Sequence, residues 1–256
     1  MKKITIFIIV AMIGFASCAK KEKATAKKEQ QATEANVYKG YPEALVKVFK
    51  KHGGLATWKQ KKVLSFRKGD EEHTTDLYSR KALIAGTDYT IGFDGKKPWV
   101  QQKDTASFKG NADFYYNLYF YFYAMPFILA DDGIVYEEAA PITFEGVSYP
   151  GIKISYNSGV GVSPEDNYYL YYNPKTYQME WLGYTVTFFS KKASDTVKLI
   201  KYGAWTEVDG VLLPKSMTWY KRDENGAPLE PAKEPTVFEE ITLSKTALTD
   251  DFYKKR

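Results

Sequence analysis

The chain has one cysteine and two histidines in 256 residues. A disulfide framework is therefore excluded, and no Cys/His zinc cluster can be assembled from it. A metal site would have to draw on His52, His73 and nearby acids. His73 follows Glu71-Glu72 and precedes Asp76, but strand alternation sets His73 and Asp76 on opposite faces, so no metal or other cofactor is expected. After the first fifteen residues there is no long apolar run, so no later segment is expected to span a bilayer. Charge of one sign is not concentrated either. Thirty-six Lys and Arg are interleaved with 31 Asp and Glu, for a net +5, which describes a solvated surface and not a nucleic-acid stripe. A repeated strand–helix–strand pattern is missing, which argues against a parallel sheet. Gly159-Val160-Gly161 is only a fragment of a glycine-rich phosphate loop and is followed by a strand, not a helix.

What is present begins with Cys18. Lys2 and Lys3, the apolar run Ile4 to Phe15, and Ala16-Ser17 before the cysteine have the layout of a cleaved signal peptide. Ala16-Ser17-Cys18 resembles a bacterial lipobox, in which the cysteine is acylated and becomes the new N-terminus; the alternative is an ordinary signal with an incidental cysteine. Residues 1–17 are read as the signal and Cys18 as the lipidation site. The protein is then anchored to a membrane through its acyl chains, each buried methylene contributing roughly 0.8 kcal/mol. Ala19 is not the aspartate that retains such proteins at the inner membrane, and the basic run that follows is unlike acidic surface-export tags. An outer-membrane lipoprotein on the periplasmic face is expected. Residues 18–36 have no aromatic residue and little apolar bulk and read as a disordered tether. Residues 37–256 form the folded domain.

In that domain, Pro42 suits a first helical position, and Leu45, Val48, Phe49 and His52 recur at helical spacing. Gly53-Gly54 end the helix with a left-handed cap. Strands are predicted at 62–68, 73–84, 89–93 and 99–101 (around Asp94-Gly95), and at 142–156 (around Glu145-Gly146). More follow at 167–172, 177–189, 195–208, 211–221 (across Asp209-Gly210) and 236–244. Residues 222–235 read as a mobile polar loop. The expected fold is mainly β: an incomplete antiparallel barrel of about eleven strands.

Eight of the ten residues from Phe114 to Tyr123 are aromatic. Phe114, Leu118, Tyr121, Phe122 and Met125 fit a helical period, with Asp113 as N-cap and Pro126 ending a first helix. A strand buried on both faces is the alternative. A helix apolar all round needs burial on several sides, and the concave side of the curled sheet is where it is expected to sit. It is a core filler, a lid over an apolar cavity, or an exposed docking patch. Tyr116, Tyr119, Phe120, Phe122, Met125 and Phe127 are the candidate cavity lining. Asp76 and Arg80, with Tyr78 between, fit one strand face, as a surface ion pair or with Arg80 as a polar anchor inside the cavity. Asp131-Asp132 and Glu137-Glu138 read as loop charges, although a glycosidase-like carboxylate pair stays open.

One order of motifs resembles a family. An opening helix leads to His52-Gly53-Gly54 and Trp58. Ile91-Gly92-Phe93-Asp94-Gly95 with Trp99, Tyr171-Tyr172-Asn173-Pro174-Lys175-Thr176 and Val208-Asp209-Gly210-Val211-Leu212-Leu213-Pro214 then follow. Over roughly residues 37–245 this resembles the Lol-type carriers and receptors of bacterial lipoproteins, the LolA/LolB-like fold. The resemblance implies a half-barrel closed by helices, with an apolar cavity that accepts acyl chains and performs no chemical step. An anchored chain is closer to the receptor type. Arg80 is placed where that family has a basic residue on an early strand. The expected function is monomeric, non-enzymatic binding of an acyl chain, a lipoprotein or another hydrophobic ligand. An envelope scaffold with a filled barrel, or a hydrolase of envelope polymers, are the alternatives.

Overall fold

The computed structural model describes residues 36–157 and 165–255. The signal segment, Cys18, the tether up to residue 35, Gly159-Val160-Gly161 and Ser163-Pro164 lie outside the described residues. Two compact units divide at Gly40, and every element below lies in the second, Tyr41–Arg256.

Helix α1 (Glu43–Lys51) buries Leu45, Val48 and Phe49 on one face, as the spacing predicts; Pro42 sits one position earlier than expected, at the N-cap. Gly53 N–H donates to Lys50 O at 3.2 Å and Gly54 N–H to Phe49 O at 2.8 Å, the paired bonds of a Schellman cap. Gly53 has φ +105°, and a Cβ there would collide with the carbonyl of Gly210. A one-turn helix α2 (Leu55–Trp58) follows.

The first sheet contains β1 (Val63–Lys68), β2 (Glu71–Asp76), β3 (Ala82–Ala85), β4 (Tyr89–Phe93) and β5 (Pro98–Gln102) in a row of antiparallel neighbours, with the late strand β14 (Glu239–Ser244) added outside β1. The second is antiparallel throughout and holds β6 (Ile134–Phe144), β7 (Val147–Tyr156), β8 (Tyr168–Tyr172), β9 (Met179–Tyr184), β10 (Lys198–Val208), β11 (Val211–Arg222) and β12 (Pro228–Pro231) in chain order; β13 (Thr236–Val237) also pairs with β11. One residue, Phe238, separates β13 in the second sheet from β14 in the first. Its N–H donates to Lys215 O at 2.8 Å. The two sheets thus share a joint, and they do not close into a barrel.

The aromatic block forms helix α3 (Ala112–Tyr123), followed by a 3-10 turn, Phe127–Ala130. The N-cap is Asn111, whose side chain accepts Phe114 N–H at 3.1 Å, and not Asp113, which stands in the first turn. The helix lies between the sheets. Tyr123 stacks on Phe66 of β1 at 4.3 Å, and Phe122 meets Tyr184 of β9 at 4.7 Å. Tyr202 of β10 donates its hydroxyl to Phe122 O at 2.6 Å.

Among the described residues fourteen strands stand where about eleven were expected. The 73–84 segment is two strands. The Asp76 carboxylate caps the turn between them, accepting the N–H groups of Tyr78 and Ser79 at 3.0 and 2.7 Å. Asp76 and Arg80 therefore do not share a strand face. The 177–189 segment leaves the sheet after Tyr184, and the 222–235 loop contains β12. The predicted 142–156 hairpin begins earlier, at Ile134, because a register shift between Ala139 and Ile142 lets β6 continue past Pro141. Beyond that shift, Phe144 packs on Trp181 and Tyr220 at 5.0 and 5.5 Å. The hairpin tip thus folds over the face of the second sheet opposite α3, covering a satellite core of Ile142, Tyr149, Tyr171, Trp181 and Leu199.

Candidate functional site

Helix α3 has two faces. Tyr116, Phe120 and Tyr123 are buried; Tyr116 stacks on Phe93 at 4.7 Å and packs with Ala82, Ile84 and Ile91. Phe114, Asn117, Leu118 and Tyr121 recur at i, i+3, i+4 and i+7, forming the other stripe. With Asp113 and Phe122 they line one wall of a cavity of about 100 Å3. The facing wall comes from strand ends of the second sheet. Tyr156 ends β7, Asp166 and Tyr168 lead into β8, and Tyr184, Thr185, Val186 and Phe188 finish β9 and the loop after it.

The cavity wall is mainly aromatic with fixed polar points. Tyr184 accepts the Trp219 Nε1–H at 2.8 Å. The Asp166 carboxylate accepts Thr187 N–H at 2.6 Å. Burial pushes the Asp166 carboxyl above its ordinary value, opposed by the Thr187 hydrogen bonds and the nearby Lys191 charge. Burial also raises the phenols of Tyr121, Tyr156 and Tyr184, so they stay neutral donors. At the mouth, Phe114, Phe188 and Phe189 form a triad with ring centres 5.0 to 5.2 Å apart, and Phe189 is 66% exposed. Lys191 places its ammonium 4.3 Å from the Phe188 ring centre.

Of the six lining candidates, Phe122 borders this cavity. Tyr116 and Phe120 occupy the helix face turned to the first sheet. Tyr119 lies among His73, Trp219 and Phe238, with Lys68 Nζ 4.5 Å from its ring centre. Met125 is fully buried, and Phe127 stacks on Trp58 at 4.6 Å. The helical period named Phe114, Leu118, Tyr121 and Phe122 together, and that period was the usable signal for the cavity stripe. Arg80 does not line this cavity. Its guanidinium reaches both Asp131 oxygens at 2.7 and 2.5 Å and lies 5.0 Å from the Phe120 ring centre.

A second polar cluster had no local signal in the sequence. Glu71 is buried. Its carboxylate accepts Tyr115 OH at 2.9 and 2.8 Å, the hydroxyl of Tyr89, and His73 Nε2–H at 3.1 Å, and pairs with Lys68 at 2.6 Å. Burial alone would raise its pKa, but these partners outweigh burial and bring it to about 2. A carboxylate so satisfied is a structural hub and a poor general base. His52 is likewise fully buried. Its Nε2 accepts Met179 N–H at 3.1 Å while Nδ1 faces Leu212 O at 3.3 Å, the pattern of a neutral imidazole. Burial lowers its pKa to about 4, despite the Leu212 bond.

A wider open groove of about 800 Å3 runs between Pro42, Ala44 and the β6–β7 hairpin, through Tyr136, Ala139, Pro141 and Tyr172. Its Glu137 is engaged by Lys153 at 2.9 Å. Among the described residues no group of three or more His, Cys, Asp or Glu is placed to hold a metal ion, and no helix is long and apolar enough to cross a membrane.

Solved structures similar to this chain include the following two. One is a LolA superfamily protein from Nitrosomonas europaea, 9% identical, with a TM-score of 0.41, covering 81% of this chain and 96% of that one. The other is a DUF1329 family protein from Desulfovibrio piger, 10% identical, with a TM-score of 0.44, covering 82% and 95%. At these scores neither likeness carries weight for function. No curated protein matches the sequence. Residues 50–195, more than half of the chain, match the family described as "Family of unknown function (DUF6503)", and the chain belongs to that family.

Proposed function

We propose that this chain is an outer-membrane lipoprotein, acylated at Cys18 and facing the periplasm, whose half-barrel domain binds a hydrophobic ligand as a monomer and performs no chemical step. The observation that carries the reading is the aromatic cavity between the Phe114–Tyr121 stripe of α3 and the ends of β7, β8 and β9. Its size sets a limit. About 100 Å3 is below the roughly 300–1,000 Å3 of pockets that enclose a drug-sized ligand. An engineered cavity of ~150 Å3 holds a benzene ring. The site therefore takes a ring, a head group or one end of an aliphatic chain, with the rest of the ligand leaving past Phe114, Phe188 and Phe189. Phe122 is the lining residue shared with the sequence reading. Tyr116, Tyr119, Phe120, Met125 and Phe127 pack away from the cavity, and Arg80, paired with Asp131, lies over the Phe120 ring.

The test is titration of the full-length chain with dodecyl maltoside, a neutral amphiphile, read by native mass spectrometry. Binding is expected in wild type, and Leu118→Trp, which fills the cavity, is expected to weaken it at least tenfold. Binding unchanged by that substitution would place the ligand elsewhere. A second reading rests on the burial of Tyr116, Phe120, Met125 and Phe127. They leave most of the space between the sheets packed, as in an envelope scaffold that works through its surface. Absence of ligand binding, together with co-purification of one stoichiometric partner, would favour that reading.

A further inference from the structure

The polar groups of the α3 cavity select the charge of what enters it. Among the described residues its wall contains two carboxylates, Asp113 and Asp166, and no basic side chain. The nearby phenols stay neutral, as burial raises them. Arg80 is not part of this wall; its Nη2 is held by Asp131 at 2.5 Å, and its buried Nη1 has no hydrogen-bond partner among the described residues. Lys191 sits over the Phe188 ring at the mouth, where its charge also acts on Asp166. The chain's own ammonium thus already uses the rim as a cation site, an aromatic face beside a carboxylate. Phe114, Tyr121, Phe122, Tyr156, Tyr184 and Phe188 continue that surface inward.

From this geometry we propose, on the footing of the hydrophobic-ligand reading above, that the cavity binds the alkylammonium head of a cationic or zwitterionic amphiphile and rejects fatty-acid anions. The ring faces attract a cation through their quadrupoles, and attraction strengthens as water is excluded. Asp166 and Asp113 supply the counter-charge. An entering carboxylate would meet two like charges with no partner cation in the wall, and like charge at close range in a partly dry site is strongly disfavoured. A small head group fits a cavity of about 100 Å3, and the chain behind it would lie along the exposed Phe189 at the rim.

The experiment uses the full-length chain and four amphiphiles with equal dodecyl chains, each below its micelle concentration. They are dodecyltrimethylammonium, dodecylphosphocholine, dodecyl maltoside and dodecanoate. Dodecyltrimethylammonium is expected to bind at least tenfold tighter than dodecanoate. Asp166→Asn and Asp113→Asn together are expected to remove most of that preference, and a preference kept in full by the double variant would overturn the proposal. Lys191→Met, which removes the internal competitor, is expected to strengthen dodecyltrimethylammonium binding. Dodecylphosphocholine binding as tightly as dodecyltrimethylammonium would assign a choline lipid head. Weaker binding of it would assign a free alkylammonium compound. Equal binding of all four, or tightest binding of dodecanoate, overturns the head-group proposal and leaves the hydrophobic-ligand reading standing. Failure of all four to bind overturns both.

Discussion

His52 and Glu71 are two residues whose ionisation is tied to folding. His52 is lowered from 6.5 to about 4 in the fold, so the unfolded chain binds that proton more readily. Its contribution is fully present above pH 6.5 and is lost as pH falls through 4, a change of about 3 kcal/mol. A thermal-denaturation series is expected to show this loss between pH 6.5 and 4 in wild type and not in His52→Gln, whose amide oxygen can still accept Met179 N–H. Glu71 is lowered from 4.5 to about 2. Its contribution is therefore present above pH 4.5 and fades as pH falls toward 2. Glu71→Gln strands Lys68 and removes acceptor strength from Tyr89 and Tyr115. A loss of about 3 kcal/mol at pH 7 is expected by chemical denaturation, with a flatter acid limb than wild type. Sequence spacing placed His52 on the packed face of α1, because its neighbours in the helix carry the period. The hub at Glu71 was not legible, because Tyr89 and Tyr115 lie 18 and 44 residues away along the chain. Only strand pairing and the seating of α3 bring them together.

Among the elements, α3 and the joint at Phe238 decide the architecture. Phe238 is fully buried against Phe66 and Tyr123, at 5.3 and 4.7 Å, so it ties β1, α3 and the crossing between the sheets together. Phe238→Ala is expected to cost about 3–5 kcal/mol in urea unfolding; a loss under 1 kcal/mol would show that the joint is not a core position. Gly53→Ala meets both a positive φ of 105° and the Gly210 carbonyl. A destabilisation above ~1 kcal/mol is expected, whereas Gly146→Ala, at φ +76° with nothing within 4 Å, should cost less. The hairpins with Asp94-Gly95, Glu145-Gly146 and Asp209-Gly210 were readable because turn chemistry is local. The break after Asp76 and the step at Phe238 were not. Apolar alternation runs through both, and the backbone changes direction there for the sake of tertiary partners.

For the whole molecule, the proposed anchor and the cavity can be tested separately. Cys18→Ser is expected to move the chain from the detergent phase to the aqueous phase in a cloud-point separation, and the mature wild-type mass is expected to begin at an acylated Cys18. Wild type staying in the aqueous phase would remove the anchor and leave the domain unaffected. By itself the sequence determined the antiparallel class, the capped opening helix and most turns, and favoured a helix over a strand at the aromatic block, since each follows from periodicity or turn chemistry within a few residues. Only the tertiary structure decided which stripe of that helix meets a cavity. Nearly every side of α3 is apolar or amphipathic, so the helix has no locally preferred face, and its rotation is set by Phe66, Tyr184, Tyr202 and Phe238 arriving from four distant strands and joints.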